Sequence, residues 1–392
     1  MSGPRCLVIG TGRVAGGFLA PLLHDAGWEV VLAGRDPAIV RAINEGGGLW
    51  LRVAGEPRRW IGGVRAVRVR DADLAEEVRR ADLIATAVGP SSLSDVGRLL
   101  AAPLRTRLEG SGDPVNVVTF ENHRRATEIL ALSLIKREGS LAALIGREIG
   151  FGGAAVWRAI SRREFTPEGI CYDANAVDEC YLDAASLVPA PPLDGSLPGV
   201  ELVRSFDNRM VEKLWVFNAG HAAAAYLGWH AGCEKLDEAM SRTEIRAAVN
   251  DVVIEAQQAF ESYLSNRPGS RPIPARSPDS ILNLYADPAL ADPVIRVGRE
   301  PRRKLAPGDR LIGPGGACLA AGIYPVALAG AAAAALAYAE PADRQANDLQ
   351  RELELLGPEE VISAVSTLDP ADELTRLISA LYHERVGEGV SY

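Results

Sequence analysis

The sequence predicts an α/β protein: a doubly wound parallel sheet at the N-terminus, followed by a mostly α-helical C-terminal domain. Three observations carry this. The chain opens on a short apolar β run, Cys6–Gly10, that turns through glycines into a helix with Phe18, Leu19, Leu22 and Leu23 on one stripe. Further apolar runs then alternate with helical stretches, the pattern of repeated β-α units. Beyond a Pro/Gly-rich run at Val188–Gly199 the periodicity is helical almost throughout.

The 392 residues correspond, at about 100–200 residues per domain, to two domains. The Pro/Gly-rich run places the division at 1–190 and 191–392. A net charge of −9 argues against nucleic acid or an anionic membrane as partner and leaves a small molecule. Five scattered cysteines with no C-x-x-C spacing fit a reduced compartment, and the N-terminus runs into a strand without a signal peptide, so a cytoplasmic location is expected. The five histidines show no metal-ligand spacing, and no metal is expected. Gly313–Tyr338 carries no charge, but its apolar part is mostly alanine. It reads as a loop and a tightly packed buried helix rather than a membrane span.

The first turn is Gly10-Thr11-Gly12-Arg13-Val14-Ala15, a G-x-G-x-x-A between strand and helix. The first Gly makes the turn, the second lets backbone approach a pyrophosphate, and Ala15 keeps helix and strand close. This is a Rossmann dinucleotide fingerprint. The next strand, Glu29–Ala33, ends in Gly34-Arg35 where an NAD site carries an acidic residue for the ribose hydroxyl. A small residue followed by Arg makes room for a 2′-phosphate and pairs with it, so NADP(H) is expected over NAD(H). Asp36, slightly late, argues the other way.

Leu49–Val53 and Val64–Val69 read as strands. Asp82–Val88 is a buried strand ending in Gly89-Pro90, and the helix after it is expected from about Ser92 to Ala102, where Pro103 stops it. Val115–Phe120 is another strand, followed by a helix over about Arg125–Arg137. The strand ends place Ala87, Val88, Gly89, Glu121 and Asn122 at the carboxyl edge, where such sheets bind ligands. Gly150–Ile160 reads as a further strand. The C-terminal helices are expected at about Ser205–Leu227, Leu236–Ser265, Pro325–Ala339, Ala342–Leu356 and Pro358–Thr367.

Within the first of these, Lys213, Asn218 and His221 are polar residues in an apolar surround. At about 100° per residue Asn218 and His221 share a face, and Lys213 reaches from a neighbouring one. A Lys, an amide and an imidazole converging on one point can take a proton, hold an oxygen and polarise a carbonyl. A surface Lys, a capping Asn and a core His remain the plain alternative. The second constellation is basic: Arg302, Arg303 and Lys304 in the run Arg296–Arg310, suited to a substrate phosphate or to ion pairs between elements.

Together these motifs resemble the polyol-specific long-chain dehydrogenases, most closely the mannitol-1-phosphate group among them. The resemblance rests on Thr86–Pro90, Glu121-Asn122, Glu212–Leu214, Asn218–His221, Ala225–Gly228, Arg296–Arg299 and Arg303–Leu311, and runs over nearly the whole chain. It implies a metal-free site between a Rossmann domain and a helical domain, with Lys213 as general acid/base and Asn218 and His221 positioning the reacting oxygen. Glu121 is implied near that site, as an orienting or relay group. Gly34 departs from the family's acidic position, and Gly152–Arg158 lacks its polar residues. An opine or 2-ketoacid reductase of related plan, or a dinucleotide-sensing protein without turnover, stays open at this point.

Overall fold

The computed structural model describes residues 3–70, 73–110, 113–189 and 197–387. The chain divides into two compact units, Met1–Met210 and Val211–Tyr392. The division falls later than the expected 190/191. After the Pro/Gly-rich run, part of which (190–196) lies outside the described residues, strand β12 (Val200–Val203) still pairs alongside β11 (Cys180–Asp183).

The first unit is built on a sheet of order β12-β11-β8-β7-β6-β1-β2-β5. Its parallel heart comprises β1 (Arg5–Ile9), β2 (Glu29–Gly34), β5 (Arg65–Arg68), β6 (Leu83–Thr86), β7 (Val115–Thr119) and β8 (Ile149–Val156). Residues of β1, β6 and β7 are buried on both faces, which is why they read as continuous apolar runs. β11 runs antiparallel to β8. The crossovers are α1 (Ala20–Asp25, preceded by a π-helical turn at Ala15–Leu19), α2 (Pro37–Gly46), α3 (Asp73–Arg80), α4 (Leu93–Gly110) and α5 (Ala126–Arg137). The doubly wound expectation holds, with a mixed edge.

Pro103 does not stop its helix: α4 continues to Gly110. Leu100, Ala101 and Leu104 are buried, and the buried Arg107 donates to the carbonyls of Val78 (2.8 Å) and Ala81 (2.6 Å). That anchoring offsets the one backbone bond a proline removes.

A second sheet, β4-β3-β10-β9, consists of β3 (Gly48–Val53), β4 (Arg59–Gly62), β9 (Ile160–Thr166) and β10 (Gly169–Ala174). The sequence shows β9 poorly because one face carries Arg162 and Glu164, an ion pair on the exposed side. The core on this side comes from β10: Tyr172 and Ile170, opposite the exposed Arg163 and Phe165 of β9, join the cluster that also holds Leu19, Leu32, Val40 and Ala66.

The second unit is helical. α6 (Phe206–Glu212), most of it still in the first unit, leads into a π-helical turn (Lys213–Phe217) and α7 (Asn218–His230) of the second. Then follow α8 (Leu236–Ser241), α9 (Thr243–Ser265), α10 (Pro278–Tyr285), α11 (Val294–Gly298), α12 (Pro301–Lys304), α13 (Ile312–Ala320), α14 (Val326–Leu336), α15 (Arg344–Leu356), α16 (Pro358–Ser366) and α17 (Glu373–Gly387). The stretch expected as a loop before α14 is helix α13, with Pro314 in its first turn, where a missing N–H costs nothing. α14 is the expected close-packed alanine helix, buried along most of its length. No helix among the described residues is long and apolar enough to cross a membrane.

Candidate active site

In the first unit the glycine turn meets the end of β6. Gly10 lies at φ +132, and a Cβ there would fall 2.4 Å from the Ala87 carbonyl, so only glycine allows this approach. Its N–H donates to Ala33, and Ala87 N–H donates to Ile9. Thr11 is buried, Gly12, Arg13 and Val14 are half-buried, and Ala15 is buried. The cradle fits a dinucleotide: Gly10 and Gly12 leave the turn without side chains where the chain enters its helix.

Gly34 ends β2 flush against Thr11, whose methyl would lie 2.6 Å from a Cβ on Gly34. Arg35 beyond it is exposed. Asp36 is committed to capping α2, accepting from Ala38 N–H at 2.9 Å.

Glu121, expected near the site as an orienting or relay group, is turned into the first unit. It is 4 % exposed, and its two oxygens accept from the Thr86 hydroxyl (2.7 Å) and Val88 N–H (2.9 Å). Burial raises its pKa, which those bonds oppose. Glu121 therefore positions the turn Ala87-Val88-Gly89, and Asn122 follows it half-buried.

In the second unit the π turn alters the helix arithmetic. Asn218 N–H donates to Lys213 O, a bond spanning five residues. The inserted residue resets the phase by about 100°, so Lys213 stands to Asn218 as i to i+4 and to His221 as i to i+7. All three side chains therefore lie on one face, closer than regular helix spacing allows. Asn218 is buried and Lys213 half-buried.

His221 is held by groups the sequence did not point to. Asp292, 1 % exposed, places Oδ2 3.5 Å from His221 Nε2 and is paired with Arg296. Tyr285 stacks on the imidazole with ring centroids 5.3 Å apart and donates its hydroxyl to Phe217 O at 2.6 Å. Gly220 serves this contact, since a Cβ there would lie 2.7 Å from Val253 and 2.9 Å from the Tyr285 oxygen. Side chains, not a ligand, occupy the space beside it.

Burial lowers the His221 pKa, against the opposing pull of Asp292. Burial would raise that of Asp292, but His221 and Arg296 hold it down to about 2. The two partners do not shift as a simple ion pair would. Burial dominates at the imidazole, so the geometry describes a neutral ring beside an ionised carboxylate. Nε2–H toward Asp292 leaves Nδ1 as an acceptor, a tautomer assigned from the partners. Ala291, immediately before Asp292, has φ 44, and Glu300 has φ 59. Both are left-handed non-glycine residues beside site groups. The only signal for Asp292 in the sequence is its spacing four before Arg296.

The basic triplet splits apart. Lys304 is 2 % exposed, and its ammonium donates to the carbonyls of Val297 and Arg299 (2.6 Å for the latter) above the Tyr226 ring. Arg302 pairs with Glu352 at 2.6 Å. Both are engaged by groups of the second unit itself. Arg303, half-buried, bonds Glu300 at 3.0 Å; burial and the neighbouring Arg310 lower its pKa. Arg310 is 5 % exposed, donates Nε to Asp309 at 2.7 Å, and has a buried Nη2 with no partner among the described residues. Its charge is felt at both Arg303 and His221.

The departing segment Gly152–Arg158 is packed inside the first unit. A Cβ on Gly153 would lie 2.4 Å from the Phe206 ring, and Arg158 donates to Val177 O at 2.8 Å. Among the described residues no cluster of His, Cys, Asp or Glu is arranged to hold a metal ion.

A glycine turn suited to a dinucleotide in one unit, and Lys213, Asn218 and His221 on one helix face of the other, fit a nicotinamide-dependent dehydrogenase acting on CH–OH. The mannitol dehydrogenase Rossmann domain matches residues 4–180, and the mannitol dehydrogenase C-terminal domain matches residues 203–374. The chain belongs to the mannitol dehydrogenase family.

It is 30% identical over 388 residues to the mannitol-1-phosphate 5-dehydrogenase of Pseudarthrobacter chlorophenolicus, covering 98% of each chain. It is 32% identical to that of Brevibacillus brevis, covering 94% of this chain and 95% of the relative. Among solved structures, Pseudomonas fluorescens mannitol 2-dehydrogenase, in complex with NAD and D-mannitol, superposes with a TM-score of 0.77 at 14% identity, covering 99% of this chain and 93% of that one. Octopine dehydrogenase reaches 0.53 at 11% identity with 99% of both chains covered, a likeness of fold alone. The opine and sensor alternatives are not favoured.

Proposed function

We propose that the chain is a metal-independent, NADP(H)-preferring oxidoreductase. In this reading it interconverts a secondary alcohol and a ketone on a polyol or sugar phosphate of the mannitol 1-phosphate/fructose 6-phosphate kind. The observation that carries this reading is the π turn that brings Lys213, Asn218 and His221 onto one helix face. When bound, the nicotinamide accepts or supplies the hydride. Lys213 takes the hydroxyl proton during oxidation and returns it during reduction. The Asn218 amide donates to the reacting oxygen and stabilises its developing negative charge. His221, through Nδ1, accepts from a substrate hydroxyl and fixes its orientation, with Asp292 and Tyr285 holding the ring.

Two finer readings have separate support. Gly34, the exposed Arg35 and the committed Asp36 favour a 2′-phosphate over a bare ribose. Arg310, with its unpartnered Nη2, and Arg303 favour a phosphorylated substrate. The test follows reduced nicotinamide by absorbance during reduction of fructose 6-phosphate and of free fructose, with NADPH and NADH side by side. Faster turnover of the phosphorylated ketose with NADPH is expected. NADH preference would end the cofactor reading, and equal rates on both sugars the phosphate reading. No turnover on any polyol or ketose would end the reading as a whole.

A further inference from the structure

Many arginines of the first unit are neutralised by a carboxylate. Arg5 and Arg65 pair with Glu29, Arg59 with Asp25, and Arg52 and Arg162 with Glu164. Arg35, Arg68 and Arg163 have no ion pair among the described residues.

The folding pattern brings Arg68 and Arg163 toward the glycine turn, next to which Arg35 follows Gly34 in the chain. In the parallel register of β2 and β5, Gly34 is partnered with Arg68, so the two share a face. Leu32 and Ala66, two residues back on the same strands and so on the same face, belong to the core that includes Val40 and Tyr172. The missing side chain of Gly34 would point to that same side, at Thr11 and Val40. From the second sheet, Arg163 sits opposite Tyr172 in the β9–β10 register. Both donate to one acceptor, the Thr11 carbonyl: Arg163 Nη1 at 3.2 Å and the Tyr172 hydroxyl at 3.1 Å. Two strands distant in sequence thus bring unneutralised guanidinium groups to the glycine turn, beside the place where an acidic side chain is replaced by nothing.

We propose that Arg68 and Arg163 complete, with Arg35, a binding site for the 2′-phosphate of NADP(H). The assignment rests on the NADP reading above. Guanidinium forks match phosphate oxygens, and a dianion supplies the negative charge this cluster lacks. Arg163 keeps one nitrogen on the Thr11 carbonyl and has the rest of its fork available, so the second sheet becomes part of cofactor recognition.

The experiment measures dissociation constants by calorimetry on the full chain without substrate, with adenosine 2′,5′-bisphosphate against AMP. The variants are R68Q and R163Q, with R41Q, an exposed arginine of α2, as control. Wild type is expected to favour the bisphosphate. R68Q and R163Q should each weaken it about tenfold, or about 1.4 kcal/mol, with AMP within about twofold and R41Q unchanged. If wild type does not discriminate, the NADP reading and this site fall together. If it discriminates and neither variant changes that, this site alone is overturned. Equal loss of both nucleotides in R163Q and no change in R68Q also overturns it, because Arg163 then only supports the turn.

Discussion

Replacing Asp292 by Asn removes the carboxylate paired with His221 while keeping the side-chain volume. The carboxylate is 1 % exposed and held between the imidazole and the Arg296 guanidinium. Its pKa falls from the ordinary 3.8 to about 2, which at about 1.4 kcal/mol per tenfold in proton affinity is about 2.5 kcal/mol of stability at neutral pH. Leaving Arg296 without its partner adds to that, and breaking a buried pair costs about 3–5 kcal/mol in general. We therefore expect D292N to lose about 3 kcal/mol. The sign is fixed by the direction of the shift. A carboxyl depressed in the folded state stabilises fully above its unfolded value, and that stability is lost as pH falls from about 4 to about 2. Urea unfolding of wild type and D292N at neutral pH and at pH steps down through this window reads both quantities. The difference should shrink as pH falls. A loss under about 1 kcal/mol, or a difference independent of pH, would refute the buried pairing.

Other consequences follow from the same residues. Lys304→Met removes an ammonium that two carbonyls use, so about 2–4 kcal/mol of stability should go, while the KM for a phosphorylated substrate stays within about threefold; chemical unfolding and steady-state kinetics separate the two. Arg310→Gln should raise that KM about tenfold or more and leave a free polyol unaffected, a split that a purely structural Arg310 would not produce. Tyr285→Phe loses the hydrogen bond to Phe217 O, and about 1 kcal/mol of stability with a lower kcat is expected from denaturation and rate measurements.

The parallel sheet was legible because β1, β6 and β7 are buried on both faces, and a run of Val, Ile and Leu can mean little else. The second sheet was not, since β9 alternates Arg, Glu and Phe on an edge and the pairing that fixes it comes from β10. Lys213, Asn218 and His221 could be named from spacing. Their common face could not, because nothing in Lys213–Phe217 announces the extra residue of a π turn. Asp292 and Tyr285 escaped notice for a related reason: contacts over tens of residues in sequence give each its role. Arg302 and Lys304 read as one basic patch in sequence, but positions two apart on a short helix point to different sides, one to Glu352 and one into the core.

The most direct test of the chemistry is Lys213→Ala, measured as kcat across pH together with cofactor affinity. If Lys213 moves the proton, kcat falls by about 10²–10⁴, the pH dependence of the remaining rate loses its basic-group inflection, and cofactor affinity stays within about twofold. A variant that keeps kcat within about threefold of wild type, with the same pH profile, would contradict the assignment.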